Sequence, residues 1–391
     1  TYYEKHMLSF HCSWMTEDLR IFDDMINKFL DAEIEPHYET WEKEGHMPRE
    51  IWNKLGEAGL LCIDISDEFG GIGAPYEFSA LAGFIMMKRG FPALAGGGNG
   101  VHSGIVAHYV QKFGSEEQKQ HYLPLMTSGE CVGAVAMTEP GAGSDLKAMK
   151  TSAKKVDGGY LINGSKIFIS NGLHCDMAVV ACKTDPCAGA KGISLFIVDA
   201  TIKGFVKGSK LEKLGLHSQD TAELFFEDVF VPDSALLGQL NMGFISLMTE
   251  LPRERTMLAV NAQGACEGIL ELTIDYVKER QAFGQRIADF QNTRFKLAEL
   301  ATQIRVSKAF VDQCIQLLSE GKLTTEEASM AKLHTSELQG KVVDECLQLF
   351  GGYGYMTEYR IAREYVDARA QRIYGGASEI MKEIISRPLI K

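Results

Sequence analysis

The sequence predicts a mostly α-helical protein with a β middle domain. Two changes in periodicity carry this reading: apolar residues recur at helical spacing to about residue 130, alternate in short strands to about residue 237, and then return to helical spacing. A third observation is that the strands follow one another without helices between them, which points to an antiparallel barrel or sandwich. The expected domains are residues 16–130 (helical), 131–237 (β-barrel) and 238–391 (helical bundle).

The first helix is read from DLRIFDDMINKFLDAEI, which places Leu19, Phe22, Ile26, Phe29 and Leu30 on one face. Pro48, the pair Gly70 and Gly71, and Pro92 divide the segments that follow. The stretches VGAVAM, GYLING, KIFIS, DMAVVAC, ISLFIVD and AELFFEDVFV are short, rich in β-branched and aromatic residues, and separated by turn residues. Beyond Gly243 the helices are long: GACEGILELTIDYVKER, FKLAELATQIRVSKAFVDQCIQLL and TTEEASMAKLHTSELQGKVVDECLQLF. The last opens with Thr324 and Glu327 at capping-box spacing. Long amphipathic helices followed by a shorter set predict a bundle.

At 391 residues the chain exceeds one typical core, and with 45% hydrophobic and 24% charged residues it has the composition of a globular protein. A net charge of −12 without a basic stripe excludes a nucleic-acid partner, and no apolar run is long enough to span a membrane. The nine cysteines are odd in number, scattered and never spaced C-x-x-C, which fits free thiols in a reducing compartment. The expected location is the cytoplasm or the mitochondrial matrix. The ten histidines form no HExxH pattern, so no metal site is expected. The N-terminal TYYEKHMLSFHCSWMTEDLR lacks the form of a signal peptide, and Thr1 fits a preceding segment that was cut or not included.

Several stretches carry chemistry or a simple structural role. MTEPGAGSD (Met137–Asp145) leaves a strand for a glycine-rich turn whose free N–H groups, with the Thr138 and Ser144 hydroxyls, suit carbonyl or phosphate oxygens; a plain turn is the alternative. No G-x-G-x-x-G fingerprint or phosphate loop is present, since GYLINGSK reads through as strand. In KIFISNG, alternation puts Phe168 and Ser170 on one face, where an aromatic and a hydroxyl suit a planar ring; a core phenylalanine with a serine in a turn is the alternative. KERQAFGQRIADFQ, LQLFGGYGYMTEY and RIYGGASEI each read as a helix stop or start. LPRERTMLAV holds Glu254 between two arginines after a proline, as either a first-turn helix acid or a proton acceptor.

Taken together, MTEPGAGSD, ERQAFG, FGGYGY and RIYGGASEI make the chain resemble the acyl-CoA dehydrogenase family from about residue 16 to the end. The resemblance implies an α-helical domain, an antiparallel β-barrel and a four-helix bundle. It also implies FAD, an acyl-CoA substrate, an electron-transfer flavoprotein as acceptor, and a homotetramer built as a dimer of dimers. By the same resemblance Met137, Thr138, Gly143, Ser144, Phe168 and Ser170 approach the flavin or its pyrophosphate, with Ser144 also near the acyl-CoA. Arg280, Gln291, Gln348, Gly351 and Gly352 contact FAD across the dimer interface, and Ala377 and Glu379 belong to the same cofactor set. The segment ALAGGGNGVHSG (Ala93–Gly104) is expected near the substrate tail.

One departure from the family bears on Glu254. Where most of the family has a catalytic glutamate in IYEGT, this chain has Gly375, with Ala377 in place of the threonine. In the long-chain and isovaleryl branches the base instead precedes a family arginine, and that position is Glu254 before Arg255. The resemblance therefore implies Glu254 as the base, Gly375 as an N–H donor to the thioester oxygen, and Arg255 as either a CoA contact or a structural partner. ELPRER, HSQDTAELFFEDV and IYGGASEIMKE are most similar to the long-chain branch. The implied reaction is α,β-dehydrogenation of a long or bulky acyl-CoA. The alternatives are a branched-chain dehydrogenase, an acyl-CoA oxidase, and an inactive FAD- and CoA-binding assembly protein.

Overall fold

The structure, a computed structural model, describes residues 12–390. The start of the N-terminal stretch therefore lies outside the described residues. Helix α1 (Glu17–Phe29) is capped by Thr16, whose hydroxyl accepts from the Leu19 N–H, and it buries Leu19, Phe22 and Ile26 with Leu30 beyond its end. Phe29, expected on the same face, is only half-buried. Next come α2 (Glu35–Glu44), α3 (Glu50–Glu57) and α4 (Tyr76–Lys88). The stretch Ala93–Phe113 is one helix of mixed winding, in which α5 (Asn99–Val101) and α6 (Ala107–Phe113) alternate with the π-helical segments Ala93–Gly98 and His102–Val106. Helix α7 (Glu116–Ser128) opens with a capping box from Ser115 and Gln118.

The middle region holds β1 (Gly133–Ala136), β2 (Ser152–Val156), β3 (Gly159–Ser170), β4 (Met177–Lys183), β5 (Ile193–Asp199), β6 (Phe205–Lys210), β7 (Thr221–Pro232) and β8 (Leu236–Leu237). They form one sheet in the order β6-β7-β3-β2-β4-β5-β8, with β1 beside β4. The expected antiparallel pairing needs correction at β4, which is parallel to β1 and, at Ser152 and Lys183, to β2. The β2–β3 hairpin lies between β1 and β4 in the chain, so β4 returns in the direction of β1. Strand β4 is buried throughout because its two faces serve two cores. Ala178, Val180 and Cys182 join the barrel interior, while Met177, Val179 and Ala181 pack on the helical core.

The C-terminal helices are α8 (Gly243–Glu279), α9 (Gln291–Ser319), α10 (Thr325–Phe350), α11 (Arg360–Ala368) and α12 (Ser378–Leu389). The capping box of Thr324 and Glu327 forms as expected, with the Glu327 N–H donating to the Thr324 hydroxyl and the Glu327 carboxylate accepting from the Thr324 N–H. Helix α8 begins nine residues before Pro252, so Glu254 lies in a helix interior and not in a first turn. Pro252 supplies no N–H to the turn before it, and its own carbonyl also accepts from the Thr256 hydroxyl. All nine cysteines are free thiols, and eight are buried.

His102 ties the helical region to the sheet. Its Nδ1 accepts from the Gly133 N–H at 3.0 Å, and its Nε2 donates to the Met126 carbonyl at 2.9 Å, an arrangement that only the neutral ring can make. Burial pushes its pKa down from 6.5 to about 4. Between those values the unfolded chain binds the proton and the folded chain does not, so this ring's contribution is full above pH 6.5 and is lost as the pH falls toward 4. His102→Gln is expected to lower stability at pH 7.5 by about 1–3 kcal/mol. Urea unfolding across pH should show that gap narrow toward pH 4; a gap that stays constant with pH counts against the neutral buried ring.

Candidate active site

Glu254 is 6% exposed, on the face of α8 turned toward the Ala93–Phe113 helix. Its Oε1 accepts a hydrogen bond from the Tyr109 hydroxyl at 2.6 Å. Neither flanking arginine pairs with it. Arg253 runs to Asp64 and stacks over the Tyr76 ring at 4.7 Å, while Arg255 donates to the Ser329 hydroxyl of α10 at 3.1 Å. Burial raises the Glu254 pKa to about 7 against the lowering effect of Tyr109; Glu250, one turn earlier, adds repulsion. Glu250 itself is bound by Lys112 at 2.5 Å. A desolvated carboxylate that titrates near neutrality is suited to taking a proton.

Gly375 and Gly376 both have positive φ, +65° and +99°, just before α12. Lys332 donates to the Gly376 carbonyl at 2.6 Å, and the Arg255 Nη2 lies 3.9 Å from where a Gly376 Cβ would stand. One buried cation, Lys332 of α10, therefore holds this turn, and a second, Arg255 of α8, lies beside it. A Cβ on Gly375 would overlap Leu258, one turn after Glu254 on the same helix face. Gly375 thus faces a residue of α8 one helical turn from Glu254.

The sheet contributes a second set of residues. Met137 and Thr138 continue β1, and the Thr138 carbonyl accepts from the Ile167 N–H at 2.9 Å, next to Phe168. Phe168 has φ +60° at a register shift in β3 and is 65% exposed, with Ser170 two residues on. Gly143 and Ser144 stand in the exposed turn, where nothing approaches a Cβ on Gly143. Arg280, Gln348, Gly351 and Gly352 line one open groove of about 620 Å³ with Tyr276 and Tyr353. Gln291, exposed at the start of α9, does not line it. Ala377 caps α12, and Glu379 is exposed in its first turn.

The chain matches the acyl-CoA dehydrogenase N-terminal domain over residues 16–130, the middle domain over 134–229 and the C-terminal domain over 241–390. It is 51% identical to a protein of Sus scrofa described as long-chain specific acyl-CoA dehydrogenase, mitochondrial, over 95% of this chain and 86% of that one. Among solved structures it is similar to an acyl-CoA dehydrogenase from Geobacillus kaustophilus (TM-score 0.95, 46% identity, covering 97% of this chain and 100% of that one). It is also similar to a glutaryl-CoA dehydrogenase from Mycobacterium smegmatis in complex with FADH2 (TM-score 0.90, 27% identity, covering 96% and 95%). The chain belongs to the acyl-CoA dehydrogenase family.

Membership makes this acyl-CoA dehydrogenase a flavin-dependent oxidoreductase that uses FAD. Its own residues fit that cofactor. A solvent-facing phenylalanine beside a hydroxyl suits the ring system, the open glycine turn leaves backbone within reach of a pyrophosphate, and Arg280 offers a cation. Three residues that position this set are missing from the sequence-based expectation. Glu139 is buried and accepts from the Lys150 and Thr151 N–H groups and from Lys166, while Lys166 also donates to the Met137 carbonyl. Although burial opposes ionisation, these bonds and the Lys166 charge hold the Glu139 carboxyl below its usual range. Gln219 donates to the Ser170 hydroxyl at 3.0 Å from a site closed by Gly97, where any Cβ would overlap it.

Tyr109 is the fourth unforeseen residue, 145 positions from its partner and within no motif. A hydrogen bond to a charged group is worth about 1.5–3 kcal/mol, so Tyr109→Phe is expected to raise the Glu254 pKa above 7 by about one to two units. Since the ionised form is the proton acceptor, the acid limb of the pH–rate profile for flavin reduction should move to higher pH. An unmoved limb would mean that Glu254 does not set it.

Proposed function

We propose that this acyl-CoA dehydrogenase oxidises long-chain or otherwise bulky acyl-CoA thioesters to the trans-2-enoyl-CoA, with Glu254 as the base. One observation carries the reading: a buried carboxylate with a pKa of about 7, bonded to a tyrosine and in no ion pair with either neighbouring arginine, lies on α8 one turn from Leu258, which Gly375 faces. FAD, when bound, accepts the hydride from the β-carbon. Glu254 takes the α-proton from the substrate held beside it. The backbone N–H of Gly375 donates to the thioester oxygen, where negative charge grows as that proton leaves; a preorganised donor of this kind is worth about 3 kcal/mol. Lys332 holds the turn that presents this N–H, with Arg255 beside it. Arg255, 3% exposed and bonded to Ser329, is a structural partner in this reading.

The same reading assigns Met137, Thr138, Phe168 and Ser170 to the flavin ring and Gly143 and Ser144 to its pyrophosphate, Ser144 also meeting the acyl-CoA. Arg280, Gln291, Gln348, Gly351 and Gly352 serve a neighbouring subunit's FAD in a homotetramer, with Ala377 and Glu379 beside the cofactor. The domain limits 16–130, 131–237 and 238–391 follow the changes of element type. Electrons pass to an electron-transfer flavoprotein, in the cytoplasm or the mitochondrial matrix. Among the described residues no helix is long and apolar enough to cross a membrane. A preference for long chains is supported by a cavity of about 50 Å³ between α4, the Ala93–Phe113 helix and α8, lined by Ala95, Gly100, Gly104, Met257 and Val260. Within Ala93–Gly104, Gly98 faces Met47 and the Ala93 carbonyl instead.

Glu254→Gln keeps the size and loses the proton acceptor. Stopped-flow flavin bleaching with a long-chain acyl-CoA should slow by at least about a thousandfold, with FAD content retained; reduction at the parent rate would remove Glu254 from the chemistry. Adding Gly375→Glu to that variant is expected to restore only part of the rate, because the new side chain must displace Leu258 from a left-handed backbone position. A substrate panel spanning short, long and branched acyl-CoAs with a dye acceptor checks the chain-length preference.

A further inference from the structure

The tail cavity is not purely apolar. Asn261, two turns after Glu254 on α8 and therefore about 10 Å from it along the axis, lines the cavity at 1% exposure. Both its amide nitrogen and its amide oxygen are without a hydrogen-bond partner. The Tyr76 hydroxyl, on another wall of the same cavity, is also buried and unpartnered. The cavity's other polar lining residues are Ser79, which is only half-buried, and four that are already paired: Asp64 binds Arg253 and His108, Ser103 donates to Asn99 and accepts from the Cys62 N–H, and Asn99 donates to the Leu60 carbonyl. Gly83 of α4 makes the space, since its missing Cβ would stand 2.7 Å from the Asn261 oxygen.

An unbranched hydrocarbon tail in this cavity would leave Asn261 and Tyr76 desolvated and unpaired, a cost that a plain chain cannot offset. A hydroxyl on the tail can donate to the Asn261 oxygen and accept from the Asn261 amide or the Tyr76 hydroxyl. On the scale in which one water needs about 10–15 Å³, a cavity of about 50 Å³ admits a short stretch of chain with its substituent.

We infer that Asn261 and Tyr76 form a subsite for an acyl chain bearing a hydroxyl on its distal half, so that the enzyme favours hydroxylated acyl-CoAs over plain ones of equal length. This rests on the reading of the chain as an acyl-CoA dehydrogenase whose substrate tail enters this cavity. The supply of such substrates requires a hydroxylating or hydrating reaction upstream.

The test uses the FAD-loaded enzyme with dodecanoyl-CoA and its monohydroxy isomers from mid-chain to the chain end. The parent is expected to favour one distal isomer over dodecanoyl-CoA by about tenfold or more in kcat/KM, because a site built to bond a hydroxyl penalises the analogue that lacks it. Asn261→Leu, which removes the unpaired amide at similar volume, should abolish the preference without lowering the thermal unfolding midpoint of the substrate-free enzyme. Tyr76→Phe, the removal of a single oxygen, should weaken it and serves if the first variant does not fold. Equal use of plain and hydroxylated chains by the parent overturns the subsite while leaving the dehydrogenase reading intact. So does a preference that survives both substitutions or, where Asn261→Leu does not fold, one that survives Tyr76→Phe. Failure of the parent to reduce its flavin with any of these acyl-CoAs defeats the functional reading itself.

Discussion

The site depends on keeping one carboxylate buried without a counter-charge. Glu254 stands between two guanidinium groups in sequence, and a salt bridge to either would lock it as an ion of ordinary acidity. The fold prevents this by giving each arginine another partner: Asp64 takes Arg253, and Ser329 takes Arg255. Burial then raises the carboxyl toward neutrality, and Tyr109 supplies the single bond that keeps the ionised form accessible. Helix geometry makes the diversion possible, because successive side chains point about 100° apart and three consecutive residues reach three different neighbours.

In the proposed reaction the base sits on α8 while the double-glycine turn supplies a backbone donor. A backbone N–H needs no side chain, so Gly375 can present a donor from a left-handed conformation that a glutamate would adopt only with strain. Lys332 bonds the turn from outside, and Arg255 lies beside it. Burial pushes the Lys332 pKa down to about 8, with the nearby Arg255 charge adding to the effect, and the Gly376 carbonyl is its recorded acceptor. Two buried cations beside the turn are costly to assemble, which ties the shape of the bundle core to the geometry of the proposed oxyanion donor.

Around the tail, the mixed winding of Ala93–Phe113 and the glycines within it bring backbone close to α8, where Met257 lies over Gly100 and Gly104. Interruptions of this kind in an α-helix often accompany function. Here they leave a cavity between three helices, and one of its walls, α8, is the helix that carries Glu254. In the proposed function, substrate depth and proton transfer are thereby set by the same element.

Much of the architecture was legible in the sequence, because period and turn chemistry are local. The change from helical to strand spacing, the Thr324–Glu327 capping box and the glycine turn before α12 all depend on residues within a few positions of one another. Phe168 and Ser170 were picked out as candidates from the same local pattern, and Glu254 from the missing glutamate at Gly375. Tertiary structure alone decided the rest. The Tyr109–Glu254 bond joins residues 145 positions apart, and the Ser170–Gln219 bond joins β3 to a loop 49 residues later. The parallel placement of β1 beside β4 and the true start of α8 before Pro252 were likewise hidden, since pairing partners and packing can override local preference. The unpaired amide of Asn261 is the clearest case: its identity is in the sequence, but its lack of a partner is a property of everything that surrounds it in space.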